Sequence, residues 1–197
     1  MPPKTVIAYT DYKSPYAYLA KDPTYELADE LGVKFEWRPF VLDIPSVFGD
    51  VDARSEAQWR KVKYLYQDVR RFANKRGITV LGPQKIFDSS IAAIGMLYAQ
   101  KADCFRAYHD TVFQRFFLRD LDIEQPVLIK DVLEQAGADA SEFDAYLAGE
   151  GQAELDRIHG EAMEQGVFGV PSFVVGDELF WGHDRVAWVR QRLAEAA

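Results

Sequence analysis

Apolar and polar positions alternate along this chain in two rhythms, one of period two and one of period 3.6. Thr5-Val6-Ile7-Ala8-Tyr9 is short, apolar and β-branched and breaks at Thr10-Asp11-Tyr12-Lys13-Ser14, the pattern of a buried strand entering a loop. Ser14-Pro15 places a capping side chain before a proline at the first helical position, where the missing N–H costs nothing. A helix is predicted from there to Gly32, with a kink at Pro23. Val33-Lys34-Phe35-Glu36-Trp37 alternates as a second strand, so the two strands and the helix between them read as a parallel βαβ unit with a right-handed crossover. Val41 to Ser55 carries no strong periodicity and reads as a linker or functional loop.

Ser55-Glu56-Ala57-Gln58 is a capping box, and Trp59, Val62, Tyr66, Val69 and Ala73 follow at helical spacing until Gly77. Further helices are predicted at about Asp88 to Lys101, Cys104 to Phe117, Pro126 to Gln135, Ser141 to Leu147 and Gln152 to Gln165. Ser172-Phe173-Val174-Val175 and Glu178-Leu179-Phe180-Trp181 flank Gly176-Asp177, a two-residue hairpin signal. Asp184 then precedes Val186, Val189 and Leu193 as the expected N-cap of a last amphipathic helix. The string is βαβ, helices, ββα. It predicts an α/β fold with a thioredoxin-like sheet and a large all-α insertion: residues 1–50 and 166–197 form the sheet domain and 51–165 the insert.

Composition narrows the function. With 23 basic and 31 acidic residues the net charge is −8, which disfavours nucleic acid and anionic membrane surfaces as partners. No apolar run approaches the ~18 residues of a membrane helix, and Met1-Pro2-Pro3-Lys4 leads straight into a strand without a signal peptide. One cysteine, Cys104, allows no intrachain disulfide. The expectation is a soluble cytoplasmic protein whose partner is a small molecule or another protein. His109 and His159 have no ligand-spaced partners, so no metal is predicted. The helix from Trp59 to Arg76 carries Arg60, Lys61, Lys63, Arg70, Arg71, Lys75 and Arg76, either a solvated polar face or a local positive field that could draw in an anion.

Four segments stand out: Asp11-Tyr12-Lys13-Ser14-Pro15-Tyr16-Ala17-Tyr18-Leu19, Trp37-Arg38-Pro39-Phe40, Gly166-Val167-Phe168-Gly169-Val170-Pro171-Ser172-Phe173 and Phe180-Trp181-Gly182-His183-Asp184-Arg185. In this order, across nearly the whole chain, they resemble the 2-hydroxychromene-2-carboxylate isomerases and kappa-class glutathione transferases of the DsbA-like group. Oxidoreductases of this fold keep a Cys-X-X-Cys pair where this chain has Ser14 and Ala17. Neither position carries sulfur, which excludes intramolecular dithiol exchange.

The resemblance implies glutathione as cofactor, with Ser14 holding its thiolate near the positive end of a helix. It also implies a cis Val170-Pro171 bond whose backbone grips the cysteinyl part, and His183 and Asp184 at the γ-glutamyl end. His183 stands where a small polar residue is expected, and Val41-Leu42-Asp43-Ile44-Pro45-Ser46-Val47 lacks the polar glutathione contacts that relatives place after the second strand. Arg38, with its two-oxygen fork, is the candidate for a substrate carboxylate, against a surface ion pair. Tyr16, with Tyr12, Tyr18, Phe168 and Trp181, is the candidate lining of an apolar substrate pocket, against a place in the core.

The expected activity is a glutathione-dependent isomerisation of an aromatic-derived unsaturated carboxylate by a homodimer. A kappa-like transferase and a redox-inactive peptide-binding module are the competing readings.

Overall fold

The computed structural model describes residues 5–195; Met1 to Lys4, on which the leader expectation falls, lie outside the described residues. Strand β1 (Thr5–Thr10) pairs parallel with β2 (Lys34–Pro39), with Val6 opposite Phe35 and Ala8 opposite Trp37. On its other side β1 runs antiparallel to β3 (Ser172–Val175), which turns at Gly176 into β4 (Glu178–Trp181). The order β2-β1-β3-β4 makes the two inner strands the apolar ones, because they are covered on both faces. Val6, Ala8, Phe173 and Val175 share one side with Ala20, Leu27, Val189 and Leu193 of the first and last helices.

Helix α1 (Pro15–Leu31) starts and stops at the predicted signals, Ser14 as N-cap and Gly32 in the left-handed region. It runs through Pro23 as one helix. Proline has no N–H to give to the carbonyl four residues earlier. That carbonyl, Leu19 O, instead accepts from Arg76 Nη1 at 2.6 Å, so a cation from the insert satisfies it. Asp43 caps a short helix, α2 (Ile44–Phe48), inside the stretch expected to be loop; five residues are too few to show a period. The capping box at Ser55 forms with both of its bonds and opens α3 (Glu56–Lys75).

Five helices complete the insert: α4 (Ser90–Lys101), α5 (Phe105–Leu118), α6 (Pro126–Gln135), α7 (Phe143–Ala148) and α8 (Glu150–Glu164). At the C-terminal end Asp184 does not cap. A 3-10 turn at His183–Arg185 leads into α9 (Val186–Glu195), and the Asp184 carboxylate pairs with Arg185 Nη1 at 2.7 Å. Among the described residues no helix is long and apolar enough to cross a membrane.

The insert and the sheet share one core. Tyr9, Tyr12, Tyr18 and Phe40 from the sheet domain pack in the same cluster as Met96, Phe113, Phe117 and Ile129. At its centre His109 is fully buried, its Nδ1 2.9 Å from the Tyr12 hydroxyl and its Nε2 without a partner. Burial, with the Lys21 ammonium adding in the same direction, holds this imidazole well below its ordinary value of 6.5. The folded chain therefore keeps His109 neutral where the unfolded chain protonates. Stability is expected to fall as pH drops below about 6.5, because the unfolded state then binds the extra proton, and to gain no slope from His109 above it. Melting temperature against pH checks this: His109→Gln should flatten the acid limb, and an unchanged limb would assign it to other groups.

Candidate active site at the start of the first helix

The turn from β1 into α1 is held by its own backbone and by one buried carboxylate. Ser14 N–H donates to Asp11 O at 3.0 Å. Asp11 Oδ1 accepts from Lys13 N at 3.1 Å, and its Oδ2 accepts from Leu42 N at 2.8 Å, tying the turn to the loop after β2. The Lys13 ammonium lies 3.5 Å from Asp11 Oδ2, and both side chains are almost wholly buried.

Ser14 Oγ accepts from Ala17 N–H at 3.2 Å, the capping bond, and donates its proton to Val170 O at 3.3 Å. The hydroxyl is thus turned toward the Val170-Pro171 segment, whose peptide bond is cis. Among the described residues nothing accepts from the Val170 N–H. Pro171 O accepts from Gly182 N at 2.9 Å, which brings the end of β4 alongside. A side chain at Gly169 would meet Trp181 Nε1 at 2.8 Å, so this glycine lets the indole lie against the backbone next to Val170.

Ser14 and Val170 form one edge of a cavity of about 660 Å³ between the sheet domain and the insert. Its walls are mainly apolar, with Val62, Leu65 and Tyr66 of α3 facing Ile86, Phe87 and Phe116. This explains why α3 has a clear apolar stripe yet buries only Val69 and Ala73 completely. The charged residues of the lining are Lys13, Arg54, Lys63, Arg70, Lys85 and Arg119; Lys13 is paired with Asp11 and Lys85 with Glu124, which leaves Arg54, Lys63, Arg70 and Arg119 as cations without a carboxylate partner among the described residues, in a chain of net charge −8. The cavity therefore favours an apolar ligand that carries negative charge.

Of the aromatic candidates, Tyr16, Phe168 and Trp181 line the cavity, and the last two are exposed and in contact, with centroids 4.8 Å apart. Tyr12 and Tyr18 instead belong to the core, Tyr12 against His109 and Tyr18 stacked on Phe113 and Phe117. Tyr16 donates its hydroxyl proton to Asp68 Oδ2 at 2.9 Å; burial, reinforced by the Asp68 carboxylate, raises its pKa far above the ordinary phenol range.

Arg38 is corrected by the structure. It stands outside the cavity lining, bound to Glu161 at 2.8 Å and Glu36 at 2.6 Å, so the ion-pair reading holds. His183 is half-buried, with its Nε2 covered and without a partner among the described residues, and does not line the cavity. It stacks on Tyr16 (4.8 Å between centroids, 16° between planes) with Phe72 against its edge, and burial lowers its pKa. Asp184 lies beside it, exposed, on Arg185. Lys13, Arg54 and Arg119 were not singled out by the sequence; the only signal was Lys13 as neighbour to Ser14.

The model of the DSBA-like thioredoxin domain matches residues 5–194. The chain belongs to this family. Two curated relatives of this DsbA-like chain are 2-hydroxychromene-2-carboxylate isomerases. That of Sphingobium xenophagum is 29% identical over 98% of this chain and 99% of its own length, and that of Pseudomonas putida is 30% identical over 90% and 88%. A solved 2-hydroxychromene-2-carboxylate isomerase superposes with a TM-score of 0.81 at 28% identity, covering 98% of this chain and 95% of the other. The family fold, a thioredoxin-like mixed sheet with many helices, is the one seen here.

Proposed function

We propose that this chain is a glutathione-dependent isomerase acting on an aromatic-derived unsaturated carboxylate. The similarity to isomerases over nearly the whole chain supports isomerase activity. The observation that carries the cofactor is Ser14: a hydroxyl at the N-cap of α1, where the thiol-bearing residue of an oxidoreductase would stand, on the edge of an apolar cavity lined by cations. When bound there, glutathione would supply a thiolate for reversible addition to a conjugated carbon of the substrate.

The residues fit such a group. Ser14 can turn its O–H from Val170 O to a thiolate while its lone pair keeps the Ala17 N–H. The free Val170 N–H at a strand edge suits an extended peptide-like segment, the mode by which an added strand is held. The helix N-terminus favours negative charge at that edge, the Lys13 charge being offset by Asp11. The apolar walls exclude water from the substrate, so charge developing on its oxygens is met by fixed cations. We keep Asp184 as a partner for the γ-glutamyl amine, since its exposed carboxylate needs only to leave Arg185. His183 in its present stack serves to fix Tyr16 and not to bind a carboxylate.

The test is a calorimetric titration with reduced glutathione at neutral pH, followed by a screen of unsaturated aryl carboxylates. Saturable binding and a product of unchanged mass are expected. A thioether adduct would replace isomerisation by transfer, and no binding up to millimolar glutathione would remove the cofactor from the reading.

A further inference from the structure

The protein has thirteen arginines, and ten of them have a carboxylate within 4.0 Å. Among the described residues Arg54, Arg70 and Arg119 have none, and all three line the same cavity. Arg54 is half-buried and Arg70 and Arg119 are exposed, so in a chain with an excess of acidic residues three guanidinium groups without a carboxylate partner are gathered on one cavity open to solvent.

They are held in one way. Arg54 Nε donates to Phe48 O and Gly49 O, both at 3.1 Å, Arg70 Nε to Val80 O at 3.1 Å and Arg119 Nε to Gly82 O at 2.7 Å. A carbonyl on Nε fixes the plane of the fork without cancelling its charge, and among the described residues the terminal nitrogens have no acceptor. Arg70 and Arg119 grip the same loop from α3 and from just beyond α5, and Arg54 lies over the Trp59 ring at 4.9 Å. Tyr66 stands among them: the Arg70 guanidinium is 5.8 Å from its ring centroid, and its hydroxyl has no partner among the described residues. Burial pushes the Tyr66 pKa up to about 12 although the three arginines pull it down, so it stays a proton donor at neutral pH.

We propose that Arg54, Arg70 and Arg119, gathered around Tyr66, form a subsite for an oxyanion group, a carboxylate or a phosphate ester, carried on the apolar body of the cavity's ligand. This subsite is built from the segment before α3 (Arg54), α3 itself (Arg70) and the end of α5 (Arg119), whereas Ser14 and Lys13 are on the edge made by the turn into α1. The ligand's anionic end and its reacting carbon would therefore be recognised by different parts of the cavity. Calling that ligand the isomerase substrate rests on the reading above; the oxyanion site itself does not.

The experiment is calorimetric titration of the full chain, without glutathione, with 2-naphthoate, 2-naphthyl phosphate and the uncharged 2-naphthylmethanol. Charge-assisted bonds to the forks should make at least one anion bind about tenfold or more tighter than the alcohol. Tighter phosphate assigns a phosphate ester, and tighter naphthoate a carboxylate. Arg70→Gln and Arg119→Gln should each remove most of this preference, while Arg60→Gln, which deletes a charge of α3 that is paired with Glu56 outside the cavity, should keep it. Equal affinity for anions and alcohol in the unaltered protein would overturn the proposal, as would an equal loss in Arg60→Gln and Arg70→Gln. Failure of glutathione to bind would remove the cofactor from that reading and leave this result standing.

Discussion

Ser14→Ala is expected to lower turnover about 10- to 100-fold at neutral pH and to lose most of that deficit as pH rises. A hydrogen bond to a charged group is worth about 1.5–3 kcal/mol, or about one to two pKa units of a thiol. Removing the Ser14 proton would move the bound thiol back toward about 8.5, where only a few per cent is ionised at pH 7. The rate–pH profile should shift its thiol limb upward, and the curves should converge in base. The lost bond to Ala17 N–H should cost about 1 kcal/mol of stability, too little to mimic this result. A deficit that is the same at every pH would mean that Ser14 acts through substrate and not through the thiolate.

The largest effect on folding near the site is expected from Asp11→Ala, about 3–5 kcal/mol in urea denaturation. That range is typical when one partner of a buried ion pair is deleted. The substitution strands the buried Lys13 ammonium and leaves the N–H groups of Lys13 and Leu42 without acceptors. Lys13→Met should cost far less, because Asp11 keeps both backbone donors. The double variant should recover part of the Asp11→Ala loss, since no unpaired charge is left. Equal costs for the two single variants would show that the ion pair, and not the backbone anchoring, holds the turn.

Local signals made much of the fold legible. Caps at Ser14 and Ser55, the Gly176-Asp177 turn and the period-two runs all act within a few residues, and each lies where the structure has an element boundary. Position relative to distant elements was not legible. Arg38 meets Glu161 across 123 residues of chain, and no spacing rule reports that. Asp184 looked like a cap because its neighbours are helical, but Gly182, at φ +127, opens a tighter turn two residues earlier. Lys13 is charged in a turn and reads as solvated until Asp11 and the loop after β2 close over it. The arginines of the cavity wall were visible at best as a basic helix face; that Arg119 joins Arg70 depends on how the loop from Ile78 to Asp88 folds back, and Arg54 is set by its bonds to Phe48 and Gly49.

The shared core has a consequence for modularity. An inserted domain is often a cassette that can be lost or exchanged while its host survives. Here the aromatic side chains that leave the sheet toward the insert, Tyr9, Tyr12, Tyr18 and Phe40, have their packing partners in it. The backbone gap at Pro23 is likewise closed by Arg76. A chain trimmed to its two outer segments would be a sheet with one bare oily face, so helices and sheet are a single inheritable unit, and swaps between relatives should succeed only when both halves are moved together.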